Sequence, residues 1–320
     1  MGSAYKSWCL VLRIPPSWNR QANWMRTAPR LLLSFFLSAG LANTQPGSAL
    51  GATAAQDAPK AALQPAAVTA PDLPLNDSEL QAESQLFQLV NQSRREAGAP
   101  PLTLDAGLSH AAHIHARAMQ EARQLSHQCE GEPSLPQRLA IATSLQLDQE
   151  AENVALDYDP QRGHEHLMHS TPHRANLLNP AYNVVGLGVV RSGDRLYIVQ
   201  DFGHALPDYS ATELKDHIAA AVNQTRRQAS QPELQRRDLL IADTVACSMA
   251  EEDKIGTVPV RKLAERFTVL TYTSQHPETL PDGAAHAIAS RTLGHFSVGA
   301  CFARTDTYPT GVYWIVLSLE

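Results

Sequence analysis

One eight-residue pattern occurs twice in this chain, and no other feature limits its possible folds as much. Val90-Asn91-Gln92-Ser93-Arg94-Arg95-Glu96-Ala97 returns as Val222-Asn223-Gln224-Thr225-Arg226-Arg227-Gln228-Ala229, and Leu102 and Leu108 have counterparts at the same offset in Leu234 and Leu240. Further on, Val298-Gly299-Ala300-Cys301-Phe302-Ala303-Arg304 mirrors Val185-Gly186-Leu187-Gly188-Val189-Val190-Arg191, and Tyr313-Trp314-Ile315-Val316 mirrors Tyr197-Ile198-Val199. Matches in one order along the chain predict two copies of one fold, with residues 208–320 a diverged copy of residues 77–207. The alternative is an unrelated helix-plus-hairpin appendage.

With 320 residues, 43% of them hydrophobic, the chain is long enough for two ordinary cores. A formal net charge of -6 and the lack of any run of clustered Lys and Arg exclude a phosphate-tracking nucleic-acid binder. From Met25, Arg26 and Arg30 precede the apolar run Leu31-Leu32-Leu33-Ser34-Phe35-Phe36-Leu37, with small residues at Gly40 and Ala42. That pattern reads as an export signal. Residues 1–42 are therefore an N-terminal extension plus signal peptide, with the true start expected at Met25 and the mature protein expected to be secreted or periplasmic. The apolar run falls short of the roughly twenty residues that span a bilayer, so the protein is not expected to be integral to the membrane once the signal is cleaved. Residues 43–76, rich in Ala, Pro, Gln and Thr, are expected to be a disordered linker. Three mature cysteines, Cys129, Cys247 and Cys301, are too few for a disulfide-dense scaffold; Cys247 and Cys301 could pair, which would leave Cys129 free.

Hydrophobic spacing predicts a helix capped at Asp77 or Ser78, with Gln81 closing a capping box, and ending at Gly98. A second helix is expected from Asp105 to about Leu125, with His115 on its buried face. Arg138 and Leu139 fall in an expected loop, and Glu152 to Leu156 reads as a short strand. A third helix opens at Asp159-Pro160 and stops before Pro172. Val184 to Val190 and Leu196 to Phe202, joined by Ser192-Gly193-Asp194, read as a hairpin. Helices alternating with hairpin-linked strands imply an α+β protein built on an antiparallel sheet.

The densest polar stretch holds Ala151-Glu152-Asn153 and Ser170-Thr171-Pro172-His173-Arg174-Ala175-Asn176-Leu177-Leu178-Asn179-Pro180, with Leu125-Ser126-His127 upstream and Val185-Gly186-Leu187-Gly188-Val189 downstream. These segments resemble the CAP superfamily (cysteine-rich secretory, antigen 5 and pathogenesis-related proteins) in its bacterial SCP-like form. The resemblance implies a three-layer α-β-α sandwich for residues 77–207, and a pocket in which two histidines and two acids can hold a divalent metal. His127 matches the first family histidine, Glu152 the first acid and His173 the second histidine; the second acid has no match in this chain.

Two imidazoles and a carboxylate are ligands suited to Zn2+ and would leave an open position for water or substrate. Without metal, the same groups could bind a polar ligand or share protons near neutral pH, or His127 and His173 could hydrogen-bond Glu152 and close the pocket. Asn153, Arg174 and Asn176 are expected to support the pocket through hydrogen bonds. His164, His166 and His169 read as solvated helix histidines. In the second copy His286 stands where His173 would, but nothing replaces His127 or Glu152, so no metal site is expected there. The favoured function is an exported binding module for a small apolar ligand, a cell-wall component or a protein. A zinc-dependent peptidase or esterase and a structural envelope protein are the alternatives; the sequence shows no nucleophile–base pair.

Overall fold

Why the strands face two ways is clearest at β4. In the computed structural model, which describes Cys9–Leu12 and residues 76–320, the first half contains β2 (Thr103–Leu104), β3 (Leu147–Asp157), β4 (Val184–Ser192) and β5 (Arg195–Ala205) in the order β2-β4-β5-β3. Alternate residues of β4 point to opposite faces of the sheet. Val185, Leu187 and Val189 join Ala82, Leu86 and Val90 of α1 (Asp77–Glu96), Leu167 of α4 (Pro160–His169) and Leu177 of α5 (Thr171–Leu178) in one core. Toward α2 (Ala106–Ala122) the strand offers Gly186 and Gly188 instead, and a Cβ on either would drive into the backbone of Leu108 or Ala112. The glycines let the helix lie directly on the sheet, and the result is the expected α-β-α sandwich.

Several local readings need correction. The cap of α1 is Asn76 with Glu79, not Asp77 or Ser78, because Asn76 accepts from Ser78 N–H while Glu79 accepts from the Asn76 N–H. Arg138 and Leu139 lie on α3 (Leu135–Ala142), a helix opened by the Ser134–Gln137 capping box. The sheet is not wholly antiparallel, since β2 pairs with β4 in parallel. Beyond that short strand the edge of β4 is covered by side chains: Leu187, Val189 and Arg191 donate their N–H groups to Ser109 Oγ (3.2 Å), Glu83 Oε1 (2.9 Å) and Glu79 Oε1 (2.8 Å). An edge closed this way cannot recruit another strand.

Arg94 ties the helical layer to the chain that leads into the sheet. Fully buried, it donates to the carbonyls of Pro100 (2.7 Å), Leu177 (2.9 Å), Asn179 (3.0 Å) and Tyr182 (3.0 Å). Beside it, Asn91 exchanges two hydrogen bonds with the backbone of Leu102 (3.1 and 2.8 Å).

The second half contains α6 (Ala211–Gln228), β6 (Gln235–Arg236), α7 (Ala242–Glu251), α8 (Val258–Ala264), β7 (Thr268–Ser274), α9 (Ala284–Ile288), β8 (His295–Ala303) and β9 (Val312–Leu319). Its strands run β7-β9-β8-β6, with β6 parallel to β8, and β1 (Cys9–Leu12) adds to the free edge of β7. Arg226 donates to the carbonyls of Pro232 (2.7 Å), Ile288 (2.9 Å) and Ser290 (2.6 Å), and Asn223 bonds Leu234 twice (3.2 and 2.9 Å). Two pairings expected from sequence fail. Leu240 is fully exposed, whereas Leu108 is buried; it is Ala242 that backs Gly299 as Leu108 backs Gly186. Counting back four residues from the carbonyls of Leu177 and Ile288 sets Ala284, not His286, opposite His173.

Cys247 and Cys301 form a disulfide, and Cys129 is free. The halves meet where Asp148 accepts from His204 (2.6 Å) and His276 (2.9 Å). The expected signal segment and all of the expected linker but Asn76 lie outside the described residues.

Arg94→Met keeps the aliphatic stem but strips the donors from four carbonyls. It is expected to cost at least about 3 kcal/mol in urea unfolding of the full chain, since each orphaned buried group costs about 1–3 kcal/mol; a loss under about 1 kcal/mol would mean that the carbonyls find other partners.

Candidate functional site

Glu152 sits inside β3, 7% exposed, and buried carboxylates persist only with partners. Its Oε1 accepts from His127 Nδ1 (2.9 Å), and its Oε2 is paired with Arg138 of α3, with His115 Nε2 of α2 at 3.6 Å. Opposite Glu152 in register on β5 is Asp201, fully buried. Burial, then the charge of Glu152, pushes the Asp201 carboxyl well above the usual carboxylate range. His127 reaches this centre because α2 ends at Arg123 in the left-handed conformation (φ 52°), which turns the chain back. Its hydrogen bond to Glu152 raises the His127 pKa against the opposing effect of burial. The ring itself stays 60% exposed.

α5 is lashed to this strand by amides. Asn153 donates to the His173 carbonyl (3.1 Å) and to Gln200 Oε1 (3.2 Å), and Asn176 donates to Asn153 Oδ1 (2.9 Å) and the Glu152 carbonyl (3.4 Å). His173 is thereby held beside the centre, and burial, then the neighbouring His127, lowers its pKa. Arg174 and Asn176 both lie on α5. Arg174 lines an open groove of about 550 Å³ together with Met168, His169, Ala175, Leu178 and Pro180. The lining of that groove includes none of His127, Glu152 or His173.

Of the six pocket residues expected from sequence, His127 and Glu152 are in direct contact, Asn153 and Asn176 brace them, His173 stands alongside, and Arg174 serves the groove. Sequence reading missed Arg138, His115 and Asp201 as neighbours of Glu152. Asp201 did leave a signal, as the one carboxylate in the strand run Tyr197 to Phe202. Two histidine readings also change. His113 is buried as well as His115, and His164, expected on the solvated face, is 5% exposed and bonded to Ser93 Oγ (2.8 Å).

A second polar group lies just below. Among the described residues, His115, Cys129 and Glu132 form a set of possible metal ligands whose atoms all lie within 4.8 Å of one another. Burial, then the Glu132 charge, pushes the Cys129 thiol up. No helix among the described residues is long and apolar enough to cross a membrane.

Residues 87–202 match the family model for CAP, the cysteine-rich secretory protein family. Over 112 residues the chain is 30% identical to "Uncharacterized protein YkwD" of Bacillus subtilis (strain 168), a match covering 35% of this chain and 43% of the relative. It is 33% identical over 122 residues to "Uncharacterized membrane protein YlbC" of the same organism, covering 38% and 34%. The chain thus spans less than half the length of these relatives. Among solved structures, an extracellular SCP-domain protein from Bacillus anthracis str. Ames aligns with 27% identity and a TM-score of 0.37, covering 41% of this chain and 45% of that one.

Glu152→Gln removes the carboxylate whose hydrogen bond raises the His127 pKa, so that pKa is expected to fall toward the ordinary imidazole value of about 6.5, read from ring NMR shifts in a chelator. A raised folded-state pKa adds stability that is full below the unfolded value and lost as pH rises through the folded one. That slope, small for so exposed a ring, is expected to flatten in the variant; identical His127 titrations in both proteins would contradict the contact.

Proposed function

We propose that the CAP domain is a recognition module that works outside the cytoplasm and binds an amphiphile with an anionic head. The observation that carries this reading is the state of Glu152. Both of its oxygens are already engaged, by His127 and Arg138, so it stands as a positioned anchor rather than as a free base. The Ser–His hydrogen bond of the described residues, Ser93 to His164, is poorly suited to hydrolysis. The imidazole is nine-tenths buried, its Nδ1 has no partner, and no carboxylate orients it.

Several features support binding. The exposed ring of His127, with His173 beside it, offers donors to a polar group or a ligand atom to a divalent cation, with Glu152 behind. The groove across α4 and α5 combines the apolar walls of Met168, Leu178 and Pro180 with the cation of Arg174, the mixture of apolar surface and few polar groups that small-ligand sites use. A disulfide between Cys247 and Cys301 suits an oxidising compartment. Residues 208–320, which repeat the strand order of the first half without a counterpart of Glu152 and His127, we read as a diverged copy with a structural or partner-binding role.

The test is displacement of a fluorescent fatty-acid analogue from the full chain, run beside an ester and peptide hydrolysis panel. Arg174→Ala is expected to weaken binding at least tenfold, with no turnover in either protein. Turnover that disappears in His127→Ala would contradict the reading in favour of a hydrolase, and equal binding by the parent and Arg174→Ala would remove the groove from it.

A further inference from the structure

His115 turns both of its ring nitrogens toward oxygen acceptors. His115 Nε2 lies 2.9 Å from the Ser126 carbonyl, which can only accept, so Nε2 carries hydrogen. The other nitrogen, Nδ1, faces both oxygens of Glu132, at 3.0 and 2.9 Å, and these also only accept. The space between Nδ1 and the carboxylate is one that a proton or a metal ion can fill. A ring that donates one N–H to a backbone carbonyl while its other nitrogen faces an anion has the arrangement of a metal-ligating histidine, in which that hydrogen bond fixes the tautomer.

We infer that His115, Cys129 and Glu132 form a divalent-metal site of the zinc type, distinct from the His127, Glu152 and His173 set. The third ligand is already in place, since the sulfur of Cys129 is within 4.8 Å of the other two ligand atoms. Cys129 and Glu132 have the Cys-x-x-Glu spacing, the two-residue interval at which zinc knuckles present two ligands to one ion. Their turn is closed by Glu132 N–H donating to the Cys129 carbonyl (3.3 Å), with Gly131 at φ 80°. Cys129 N–H in turn donates to Glu132 Oε2 (2.9 Å) and fixes the carboxylate. Imidazole, thiolate and carboxylate together select Zn2+ over Mg2+ or Ca2+ and leave a fourth position for water. With metal–ligand bonds of about 2.0–2.3 Å, tetrahedral ligand atoms lie roughly 3.3–3.7 Å apart. Uptake therefore needs Nδ1 and Oε2 to part by roughly half an ångström, a shift that falls to the loop side chain because His115 is fully buried on its helix. The nearest fixed cation, Arg138, is paired with Glu152.

Cobalt(II) tests this inference without any activity assay, because only a thiolate ligand gives an intense sulfur-to-cobalt charge-transfer band. The full chain, stripped with chelator under reducing conditions too mild to open Cys247–Cys301, is titrated with Co2+ and then Zn2+. One equivalent is expected to produce the band, Zn2+ to bleach it, and bound metal to slow alkylation of Cys129 at least tenfold. Cys129→Ser is expected to lose the band, and Glu132→Gln to weaken binding at least tenfold, while the His127→Ala/His173→Ala variant keeps both band and stoichiometry. A parent protein that shows no band overturns the inference. A band that persists in Glu132→Gln at unchanged affinity, or that vanishes in His127→Ala/His173→Ala while the variant remains folded by circular dichroism, overturns it as well. None of these outcomes depends on fatty-acid binding, so the two proposals stand or fall separately.

Discussion

The buried guanidinium of Arg94 is the interaction on which the first domain depends. A cation out of water is costly, and here burial lowers its pKa without a carboxylate to offset it. What compensates is geometry: a rigid fork of donors meets carbonyls from the turn after α1 and from the segment that links α5 to β4. Those carbonyls include the last ones of α5, which have no partners inside the helix. One side chain thus closes a helix end, sets where β4 begins and fixes α5 against α1. Arg226 does the same with Pro232, Ile288 and Ser290.

Fixing α5 matters because that helix serves two places at once. Asn176, and His173 through its own carbonyl, bind it to Glu152 and Asn153 on β3, while Arg174 and Leu178 line the groove. The polar centre and the groove share one short rigid element, so a ligand that shifts α5 has a direct mechanical route to the His127 ring. Glu152 in turn gathers groups from four elements: α2, the loop after it, α3 and β5. Removing that one carboxylate would leave Arg138 and His127 without their common partner.

The sheet between helical layers was legible from strands joined by a hairpin and alternating with helices, and the three-layer sandwich from the family resemblance, while the close approach of α2 to Gly186 and Gly188 appears only in the structure. His127 and Glu152 were singled out through the family resemblance, and the structure brings their side chains into contact. Arg138 was not, since Ser134 and Gln137 enclose a proline that reads as a loop signal, although Pro is also favoured in a first helical turn. Asp201 and His115 became neighbours of Glu152 only through strand register and helix packing, which sequence separation conceals. In the second half, identity at a constant offset misled where the chain length between anchors differs: Leu240 and His286 each stand two residues from the position that packing selects.

The proposed recognition site lies in the first domain, with α5 at its hub. Hydrogen exchange of the full chain, measured with and without a saturating fatty acid, tests that most directly. Slowed exchange at residues 160–178, extending to the 125–132 loop, with little change in residues 208–320, is the result the account requires. Protection confined to residues 208–320 would contradict it and assign recognition to the half that lacks Glu152.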